Sequence, residues 1–538
     1  MRKKLTAMLL WLVMGVFIVA MFIPLGCGDH SDDGGETGDT GSVSGTVTDQ
    51  DGLPVQGATC AIYNSENSLK NYSSNTDELG MFTIADVPVG TWRVSISKTG
   101  YQTTNVTVTV NSGTTTEIPD DETIIDEFTM PTSTPTPPPT GSKKIVAYFV
   151  NWGIYARDYN VVDIPADKIT HINYAFFAID DSTGKVKLTD PLADINKIFT
   201  GDEAIGFPDQ TAEQSAAGEA GNLGRLKQLK ALHPHIKTMM TIGGWTLSYN
   251  FPNIAGTQEA RQTFVSSCVE MMKKYDFDGI DVDWEYPGAA DKVNCTLLMQ
   301  EFRKQLDEQG QVDGKYYLLA MATPVGYDKL VNMEIDKLAD SLDFINIMTY
   351  DFHGGWDSIT NNQSPLYMDP NDPTSPVDRE YLNIDWVVNY YLKAGIPPGK
   401  LCLGIPAYGR AWEEVPDIDN GLFQPGPSLP NTETPGNWES GNIDYWKIQE
   451  LLLDTSNYTL YRDQYAKVPW VYGKNLTPTK TIGGMFITFD DPTSIATKAQ
   501  YVNDKNMGGM MIWELSGDVR GINDPRSLID AIYTGIMK

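Results

Sequence analysis

Alternating apolar and polar residues, interrupted by turn sequences, characterise the chain between residues 43 and 130. The run from Val43 to Thr48 alternates in this way, and Asp51-Gly52 follows it as a turn. Four further alternating runs are Thr59–Tyr63, Met81–Ala85, Trp92–Ser97 and Val106–Val110. Short strands with frequent turns predict a small all-β sandwich over residues 43–130.

After residue 143 the pattern changes to apolar runs that alternate with amphipathic helical segments. The eight runs with strand character are Ile145–Val150, Ile169–Ile179, Ile236–Ile242, Gly279–Glu285, Tyr317–Ala322, Phe344–Tyr350, Leu401–Ile405 and Gly509–Trp513. This alternation predicts an α/β fold over residues 143–538, a (β/α)8 TIM barrel whose longest insertion, about residues 412–480, lies between strands seven and eight. The alternative is a doubly wound sheet, but no glycine-rich phosphate loop follows the first strand.

The N-terminal residues have the pattern of an export signal. The basic segment Arg2 to Lys4 precedes the apolar run Leu9 to Ile23, which predicts a signal peptide over residues 1–27. The segment Pro24 to Cys27 resembles a bacterial lipobox, and this resemblance implies lipidation of Cys27. An uncleaved membrane anchor and a plain secreted protein are the alternatives. Each of the three places the protein at the cell surface or outside the cell.

Two polar segments divide the chain. Residues 28–42 are rich in Gly, Asp and Ser, and they are expected to form a flexible tether. Residues 131–142, PTSTPTPPPTGS, are expected to form a stiff, extended linker between the sandwich and the barrel.

The net charge and the cysteine positions limit which ligands and partners the protein can bind. The net charge of −30 argues against nucleic acid and against direct binding to anionic lipid, so membrane contact is expected only through the N-terminal lipid or anchor. The protein is expected to be a monomer that acts on a neutral substrate. The cysteines Cys60, Cys268, Cys295 and Cys402 fit neither a zinc site nor a disulfide framework, so buried thiols are expected. No metal or other cofactor is predicted.

Residues 276–287, DFDGIDVDWEYP, place acidic residues within an apolar strand. Because strand side chains alternate with period two, Asp281, Asp283 and Glu285 share one face. In a barrel this face lines the interior, with Glu285 at the carboxyl end, where active sites lie. Asp278 has the opposite parity and is expected to support the start of the strand.

Three explanations could account for acids in a buried strand. Unpaired structural carboxylates would be costly in a core. A metal site would require polar spacers and further ligands, whereas Ile280, Val282 and Trp284 separate these acids. The favoured explanation is a set of carboxyl groups that share protons, so that Glu285 stays protonated near neutral pH and acts as an acid on a glycosidic oxygen.

These residues resemble a known family. The segment DGIDVDWE fits the DxxDxDxE signature of glycoside hydrolase family 18, the chitinases. Further matching segments are YFVNWGIYARDYNVVDIP, THINYAF, TIGGW, MTYD, GIPAYGR and GGMMIWELSGD, in the order of the predicted strands; in TIGGW, Thr241 replaces the usual Ser. The resemblance is to bacterial members with an α+β insertion domain, and it implies that GNWESGNIDYWKIQELL and VPWVYG belong to that domain. Residues 43–130 resemble the carboxypeptidase regulatory-like module, for which a spacer, an adhesion or a carbohydrate-binding role is expected.

The family resemblance implies catalytic roles for four residues. Glu285 would protonate the scissile oxygen, and the substrate's own 2-acetamido oxygen would attack the anomeric carbon. Asp283 would hydrogen-bond the acetamido N–H, Asp281 would receive the shared proton, and Tyr350 would hold the acetamido oxygen. The residues expected to bind substrate are Tyr148, Gly243, Gly244, Trp245, Tyr286, Met348, Asp351, Tyr408, Arg410 and Trp513. Trp152 and Trp356 are further stacking candidates, for which core packing is the alternative.

The expected function is therefore a retaining chitinase that binds chitin or chitooligosaccharides. Two alternatives remain open at this point, an endo-β-N-acetylglucosaminidase acting on N-glycans and a lectin-like chitin-binding protein.

Overall fold

The computed structural model describes residues 39–49, 52–63, 72–98, 104–124, 142–431, 435–474, 483–521 and 524–538. The chain forms two compact units, residues 1–129 and 130–538. The predicted signal peptide, the lipidation site Cys27, the tether up to residue 38 and the Pro/Thr linker up to residue 141 lie outside the described residues.

The first unit is an all-β fold, as the alternating pattern predicted. Its strands are β1 (Thr40–Thr46), β2 (Thr59–Tyr63), β3 (Tyr72–Asn75), β4 (Met81–Pro88), β5 (Gly90–Ser97), β6 (Thr104–Val110) and β7 (Thr115–Glu117). They form two sheets, in the orders β4-β1-β7 and β3-β2-β5-β6. Apolar residues of both sheets, such as Val43, Phe82, Val94 and Val108, share one core. The short strands β3 and β7 were not predicted, because four and three residues give too little alternation to recognise.

The second unit is built around a closed parallel barrel. Its strands are β8 (Lys144–Val150), β9 (His171–Ile179), β10 (Val186–Leu188), β11 (Lys237–Gly243), β12 (Gly279–Asp283), β13 (Leu318–Thr323), β14 (Phe344–Ile347), β15 (Leu401–Pro406), β16 (Tyr408–Val415), β17 (Asn442–Asp444), β18 (Tyr458–Arg462), β19 (Pro469–Gly473), β20 (Gly484–Thr488) and β21 (Gly509–Trp513). Eight of them pair in the order β9-β11-β12-β13-β14-β15-β21-β8, and β8 pairs with β9 to close the ring. The predicted TIM barrel is therefore confirmed.

The helices of this unit lie outside the barrel strands, most of them around the barrel and α10 within the insertion. They are α1 (Ala212–Ala217), α2 (Gly221–Leu232), α3 (Phe251–Ala255), α4 (Gln258–Lys274), α5 (Lys292–Asp313), α6 (Tyr327–Leu330), α7 (Ile335–Ser341), α8 (Pro376–Tyr381), α9 (Ile384–Lys393), α10 (Tyr445–Leu451), α11 (Pro492–Asp504) and α12 (Leu528–Met537). Cys268 of α4 and Cys295 of α5 lie in the core between helices and strands, and all four cysteines in the described residues are buried, unpaired thiols, as expected. No helix within the described ranges is long and apolar enough to cross a bilayer.

Two barrel strands end earlier than their sequence pattern predicted. Strand β12 ends at Asp283 and β14 ends at Ile347, so Glu285 and Tyr350 lie just beyond the strands that carry them. The reason is that local hydrogen bonds replace the ladder at these points. The Glu285 N–H donates to the Ser248 hydroxyl at 2.9 Å, and the Tyr350 N–H donates to the Met348 carbonyl at 2.7 Å.

The insertion between strands seven and eight is a five-stranded antiparallel sheet in the order β17-β16-β20-β19-β18, with α10 beside it. It begins at Tyr408 and ends at Thr488, so it is wider than the predicted range of about 412–480. The sequence boundary was misplaced because β16 follows β15 after Ala407 alone, and β16 pairs with β20. The sheet therefore grows directly from the carboxyl end of a barrel strand and stands beside the barrel mouth.

A fully buried ion pair holds the return from this sheet to the barrel. The Lys498 Nζ lies 2.6 Å from Asp490 Oδ2 and 2.7 Å from the Ser364 hydroxyl, and Lys498 and Asp490 are both 0% exposed. Ser364 in turn donates to the carbonyl of Thr349, the neighbour of Tyr350. The pair thus connects helix α11 to the loop that follows β14.

We expect Lys498→Met to lower the free energy of unfolding by about 3–5 kcal/mol, because it leaves the buried Asp490 carboxylate without its partner. Lys447→Ala is the matched control, since its partner Glu450 lies on the surface and such pairs contribute about 1 kcal/mol or less. Urea unfolding of the full chain, followed by tryptophan fluorescence, measures both. Equal midpoints for the two variants would contradict the expectation.

Candidate active site

The three predicted carboxyl groups lie in a column inside the barrel. Asp281 and Asp283 point inward from β12, and both are buried, whereas Glu285 is half-buried at the mouth. The opposite parity packs outward, where the buried Trp284 ring stacks on Phe251 at 5.1 Å. The period-two prediction therefore placed both faces of the strand correctly.

Asp281 forms the deep end of the column and is surrounded by neutral donors. Its Oδ2 accepts hydrogen bonds from the Tyr148 hydroxyl at 2.7 Å and the Thr241 hydroxyl at 3.2 Å. Its Oδ1 accepts from the Asn346 side-chain amide at 3.3 Å. Thr241 thus supplies the hydroxyl that the family pattern usually takes from Ser. Within the described ranges, no ion pair reaches Asp281, Asp283 or Glu285.

Burial without a cation raises the pKa of every carboxyl in this column. Burial raises the pKa of Asp281 to about 6, although its hydrogen-bond donors act in the opposite direction. Burial and then the neighbouring charges of Glu285 and Asp281 hold the pKa of Asp283 well above its usual range. Burial also raises the pKa of Glu285 to about 7, with the Tyr286 hydroxyl lowering it and the Asp351 charge raising it. The column therefore retains protons near neutral pH.

Backbone contacts fix the outer end of the column. The Ser248 hydroxyl donates to the carbonyls of Gly244 and Asp283 and accepts from the Glu285 N–H. Gly243 and Gly244 have φ values of +111° and +91°, and a Cβ on Gly243 would lie 2.1 Å from the Asp283 carbonyl oxygen. Both glycines were predicted to bind substrate, and here they allow the end of β11 to lie against Asp283.

Tyr350 reaches the barrel axis from the segment after β14. Its hydroxyl donates to the Met511 sulfur, a weak acceptor, at 3.9 Å. Its ring lies edge-on to Tyr408 at 6.2 Å, and Met348 is buried in the same interior cluster. The hydroxyl is therefore in place to donate to a stronger acceptor, such as an amide oxygen.

Asp351 and Arg410 form a bidentate pair on the insertion side of the mouth. The Arg410 Nε and its terminal nitrogen lie 2.7 and 2.6 Å from the two Asp351 oxygens. The rings of Trp356 and Tyr408 both lie 5.1 Å from this guanidinium. Asp351 has a φ of +57°, a strained conformation for a side chain of this kind. The pair therefore fixes the Asp351 charge close to Glu285.

Aromatic rings extend from the acids along the barrel mouth. Trp513 lies edge-on to Tyr148 at 5.2 Å and stacks on Phe176 at 5.6 Å. Trp152 stacks on the same Phe176 ring at 6.1 Å and is 39% exposed. Trp245, 74% exposed, lies edge-on to Tyr286 at 6.4 Å. Core packing does not account for the exposure of Trp152 and Trp245, so these two rings are available to stack on a ligand.

A cavity of about 250 Å³ continues the groove between Trp513 and the insertion sheet. The residues that line it are Trp152, Arg157, Ala407, Tyr408, Trp438, Glu439, Asn442, Asp444, Trp513, Glu514 and Gly517. Arg157 pairs with Asp444 at 2.9 Å and with Glu514 at 3.4 Å, and its guanidinium lies 5.0 Å from the Trp438 ring. Rings and paired charges thus line this end of the groove.

The structure brings most of the predicted residues to one place. Those at the carboxyl end or interior of the barrel are Tyr148, Gly243, Gly244, Asp281, Asp283, Glu285, Tyr286, Met348, Tyr350, Asp351, Tyr408, Arg410 and Trp513. Trp152, Trp245 and Trp356 lie further out, on the rim. Asp278 lies at the opposite end of β12, where Lys230 pairs with it at 3.0 Å, as its parity indicated.

Sequence reasoning missed several residues of this site. Asn346 shares the parity of Met348 and Tyr350, so the period-two argument used for the acids would have found it. Ser248, Arg157 and Trp438 lie outside the barrel strands, and no local pattern marks them. Among the described residues, no group of three or more His, Cys, Asp or Glu side chains is arranged to hold a metal ion.

The comparisons with known proteins agree with this geometry. The family model for glycosyl hydrolases family 18 matches residues 144–518, and the model for the carboxypeptidase regulatory-like domain matches residues 42–120. The chain belongs to glycosyl hydrolase family 18. Its family match covers the whole barrel, from β8 to the segment after β21, and includes every predicted catalytic residue.

Relatives within the family are named chitinases. Chitinase A1 of Niallia circulans is 36% identical over 70% of this chain, which spans 57% of that protein's length. Chitinase 1 of Aphanocladium album is 34% identical over 72% of this chain and 84% of its own. The solved structure of Chitinase ChiA74 from Bacillus thuringiensis matches with a TM-score of 0.66 at 34% identity, over 74% of this chain and 70% of its own.

Proposed function

We propose that this family 18 protein is a chitinase that hydrolyses β-1,4-linked N-acetylglucosamine polymers with retention of anomeric configuration. The observation that carries the proposal is the column Asp281–Asp283–Glu285, which is buried without a cation and leads to a proton-bearing Glu285 at the mouth. A protonated carboxyl group beside an aromatic groove suits the cleavage of a glycosidic bond, whose oxygen must be protonated to leave.

In the first step Glu285 gives its proton to the glycosidic oxygen as the bond to the anomeric carbon breaks. The substrate's 2-acetamido oxygen forms a new bond to that carbon, which gives a cyclic oxazolinium ion. Asp283 accepts a hydrogen bond from the acetamido N–H and opposes the positive charge that develops there. Tyr350 donates to the acetamido oxygen and holds it in line for attack.

In the second step a water molecule opens the oxazolinium ion. Glu285, now a carboxylate, removes a proton from this water and so returns to its starting state. The water attacks the anomeric carbon from the face opposite the acetamido oxygen, from which the leaving group departed in the first step, and the two inversions give overall retention. Asp281 receives the shared proton while Asp283 is turned toward the substrate, which keeps the total charge of the column constant.

The groove favours a polymer over the core of an N-linked glycan. The rings of Trp152, Trp513 and Trp245 lie along the mouth, which suits stacking on successive sugars. The presence of Glu285 at the acid position favours an enzyme over a lectin-like protein. Release of reducing ends from colloidal chitin, compared with deglycosylation of a high-mannose glycoprotein, separates the two hydrolase functions.

The cellular context belongs to the same proposal. The signal-like N-terminus and the Cys27 lipobox support an extracellular or cell-surface enzyme that is held to the membrane by a lipid. Chitin or chitooligosaccharides are then its partners, and it acts as a monomer. Labelling of the full chain with a fatty-acid analogue, with Cys27→Ala as the control, tests the anchor.

Glu285→Gln is expected to reduce hydrolysis of chitooligosaccharides by about 10²–10⁴-fold or more, because the amide keeps the shape of the side chain but not its acid proton. Binding of the same oligosaccharides, measured by calorimetry, should stay close to wild type. A variant that retains more than a few per cent of wild-type turnover would refute the assignment of the acid.

The pH dependence follows from the pKa of Glu285, which is raised to about 7. The reaction uses the protonated form, so kcat/KM should fall as the pH rises through about 7. Tyr286→Phe removes a hydrogen bond that lowers this pKa and should move the alkaline limb to higher pH. Asp351→Asn removes a negative charge that raises it and should move the limb to lower pH. Shifts of the same sign in both variants would contradict this account.

Substrate assistance makes the β-anomer the first product, to be seen by NMR before mutarotation. Tyr350→Phe and Asp283→Asn should each reduce kcat by about 10²-fold, because each removes a contact to the attacking acetamido group. A glucosamine oligomer without acetyl groups at the cleavage site should resist hydrolysis. Prompt cleavage of that oligomer, or an α-anomer as first product, is the outcome that overturns the mechanism.

A further inference from the structure

The Asn346 side chain lies beside Asp281, the deep end of the acid column, and makes two contacts there. Its Nδ2 is 3.3 Å from Asp281 Oδ1 and 3.4 Å from the Tyr148 hydroxyl oxygen. Asn346 is 0% exposed, so the groove and any sugar in it lie beyond its reach. One amide group therefore touches both the innermost carboxylate and that carboxylate's closest hydrogen-bond donor.

We propose that Asn346 is a positioning residue of the hydrolytic reaction, which directs hydrogen-bond donors at both oxygens of Asp281 and so keeps the shared proton with Asp283 and Glu285 until Asp283 turns toward the substrate. This inference rests on the proposed function, because it concerns the proton that Glu285 delivers. None of the roles assigned above to Asp281, Asp283, Glu285 and Tyr350 includes it.

Asn346 is the donor in both of these hydrogen bonds. An amide nitrogen donates and does not accept, so Asn346 presents one hydrogen to Asp281 Oδ1 and the other to the Tyr148 oxygen. The Tyr148 oxygen is then an acceptor toward Asn346, and its own hydrogen points at Asp281 Oδ2, 2.7 Å away. A hydroxyl group can rotate so that its hydrogen points elsewhere. The hydrogen bond from Asn346 occupies the acceptor side of the Tyr148 oxygen and so keeps the Tyr148 hydrogen directed at Asp281. Both Asp281 oxygens thus face donors, which favours the ionised carboxylate.

Among the described residues, no Lys, Arg or His side chain faces Asp281 to stabilise its ionised form. The side chains that face Asp281 are Tyr148 from β8, Asn173 from β9, Thr241 from β11, Asp283 from β12 and Asn346 from β14, with Glu285 and Tyr350 above them. Ala320 stands beside Asp281 on β13, and Cys402 on β15 is in register with Asn346. The negative charge of Asp281 therefore acts directly on Asp283 and helps to hold a proton there.

Asn346→Leu tests this directly, because leucine has a similar volume and no donor. Loss of both donors should make protonation of Asp281 easier and draw the shared proton away from Asp283 and Glu285, so the alkaline limb of kcat/KM should move to lower pH. We expect kcat on a soluble fluorogenic chitooligosaccharide to fall about tenfold at pH 7, which corresponds to a shift of about one pKa unit, with KM within about twofold. The full-length protein is used throughout.

Asn346→Asp keeps the volume of the side chain but replaces its two amide hydrogens with a carboxyl group beside Asp281. A second acid at this distance disfavours the ionised Asp281, so the proposal predicts a loss of kcat at least as large as that of Asn346→Leu. This variant also serves if Asn346→Leu fails to fold. Cys402→Ala is the matched control, since it alters interior packing at the same level without removing a donor to Asp281, and its pH profile should equal that of wild type.

The possible results separate a failure of the proposed hydrolase function from a failure of the role proposed for Asn346. A wild-type protein that does not hydrolyse chitooligosaccharides refutes the proposed function itself. An active wild type, with an Asn346→Asp variant that keeps the wild-type kcat and pH profile, refutes only the role of Asn346. An unshifted alkaline limb in a folded Asn346→Leu variant refutes it equally.

Discussion

The structure depends on one electrostatic constraint. Two buried carboxyl groups of β12 and the half-buried Glu285 just beyond it lie in one column, and no described cation pairs with them. Like charges at this spacing cannot all be ionised in a low-dielectric interior, so the column must carry protons. The same strand offers a contrast at its other end. Asp278 is also buried, yet the charges of Lys230 and Lys315 and the N–H of Thr238 outweigh its burial and lower its pKa. One strand thus holds a carboxylate that is neutralised by lysines and a set that is stabilised by neutral donors.

The elements around the column supply donors, rings and fixed charges from outside it. The mouth is widened by the insertion sheet, whose first strand β16 brings Tyr408 and Arg410 to the site immediately after barrel strand β15. Arg410 forms two hydrogen bonds to Asp351, so the Asp351 carboxylate neutralises its positive charge near the acids. Asp351 then acts on Glu285 as a nearby negative charge and raises its pKa. Arg410 therefore holds Asp351 in position at the mouth and forms no ion pair with the three acids of the column.

Period-two alternation was sufficient to predict the barrel, the interior column and the outward face of Trp284, because these follow from strand geometry alone. The same rule did not show that β12 ends at Asp283, since the hydroxyl of Ser248, which takes the next backbone N–H, comes from a distant loop. Nor could it separate β15 from β16, where Ala407 alone intervenes. Arg157 and Trp438 reach the groove from loops of different elements, and their meeting is a product of tertiary packing. The sequence therefore predicts residues on regular strands well and residues that meet through loops poorly.

The use of an amide at the deep end of the column has a physical reason. A lysine or arginine beside Asp281 would hold it ionised more firmly, but its positive charge would also lower the pKa of Asp283 and Glu285. Glu285 would then lose its proton at the pH where it must donate one. An amide donates hydrogen bonds at short range and adds no net charge. It therefore stabilises the Asp281 carboxylate without lowering the pKa of Asp283 or Glu285 through a positive charge. A neutral donor such as Asn346 is therefore the side chain that the acid function of Glu285 permits at this position.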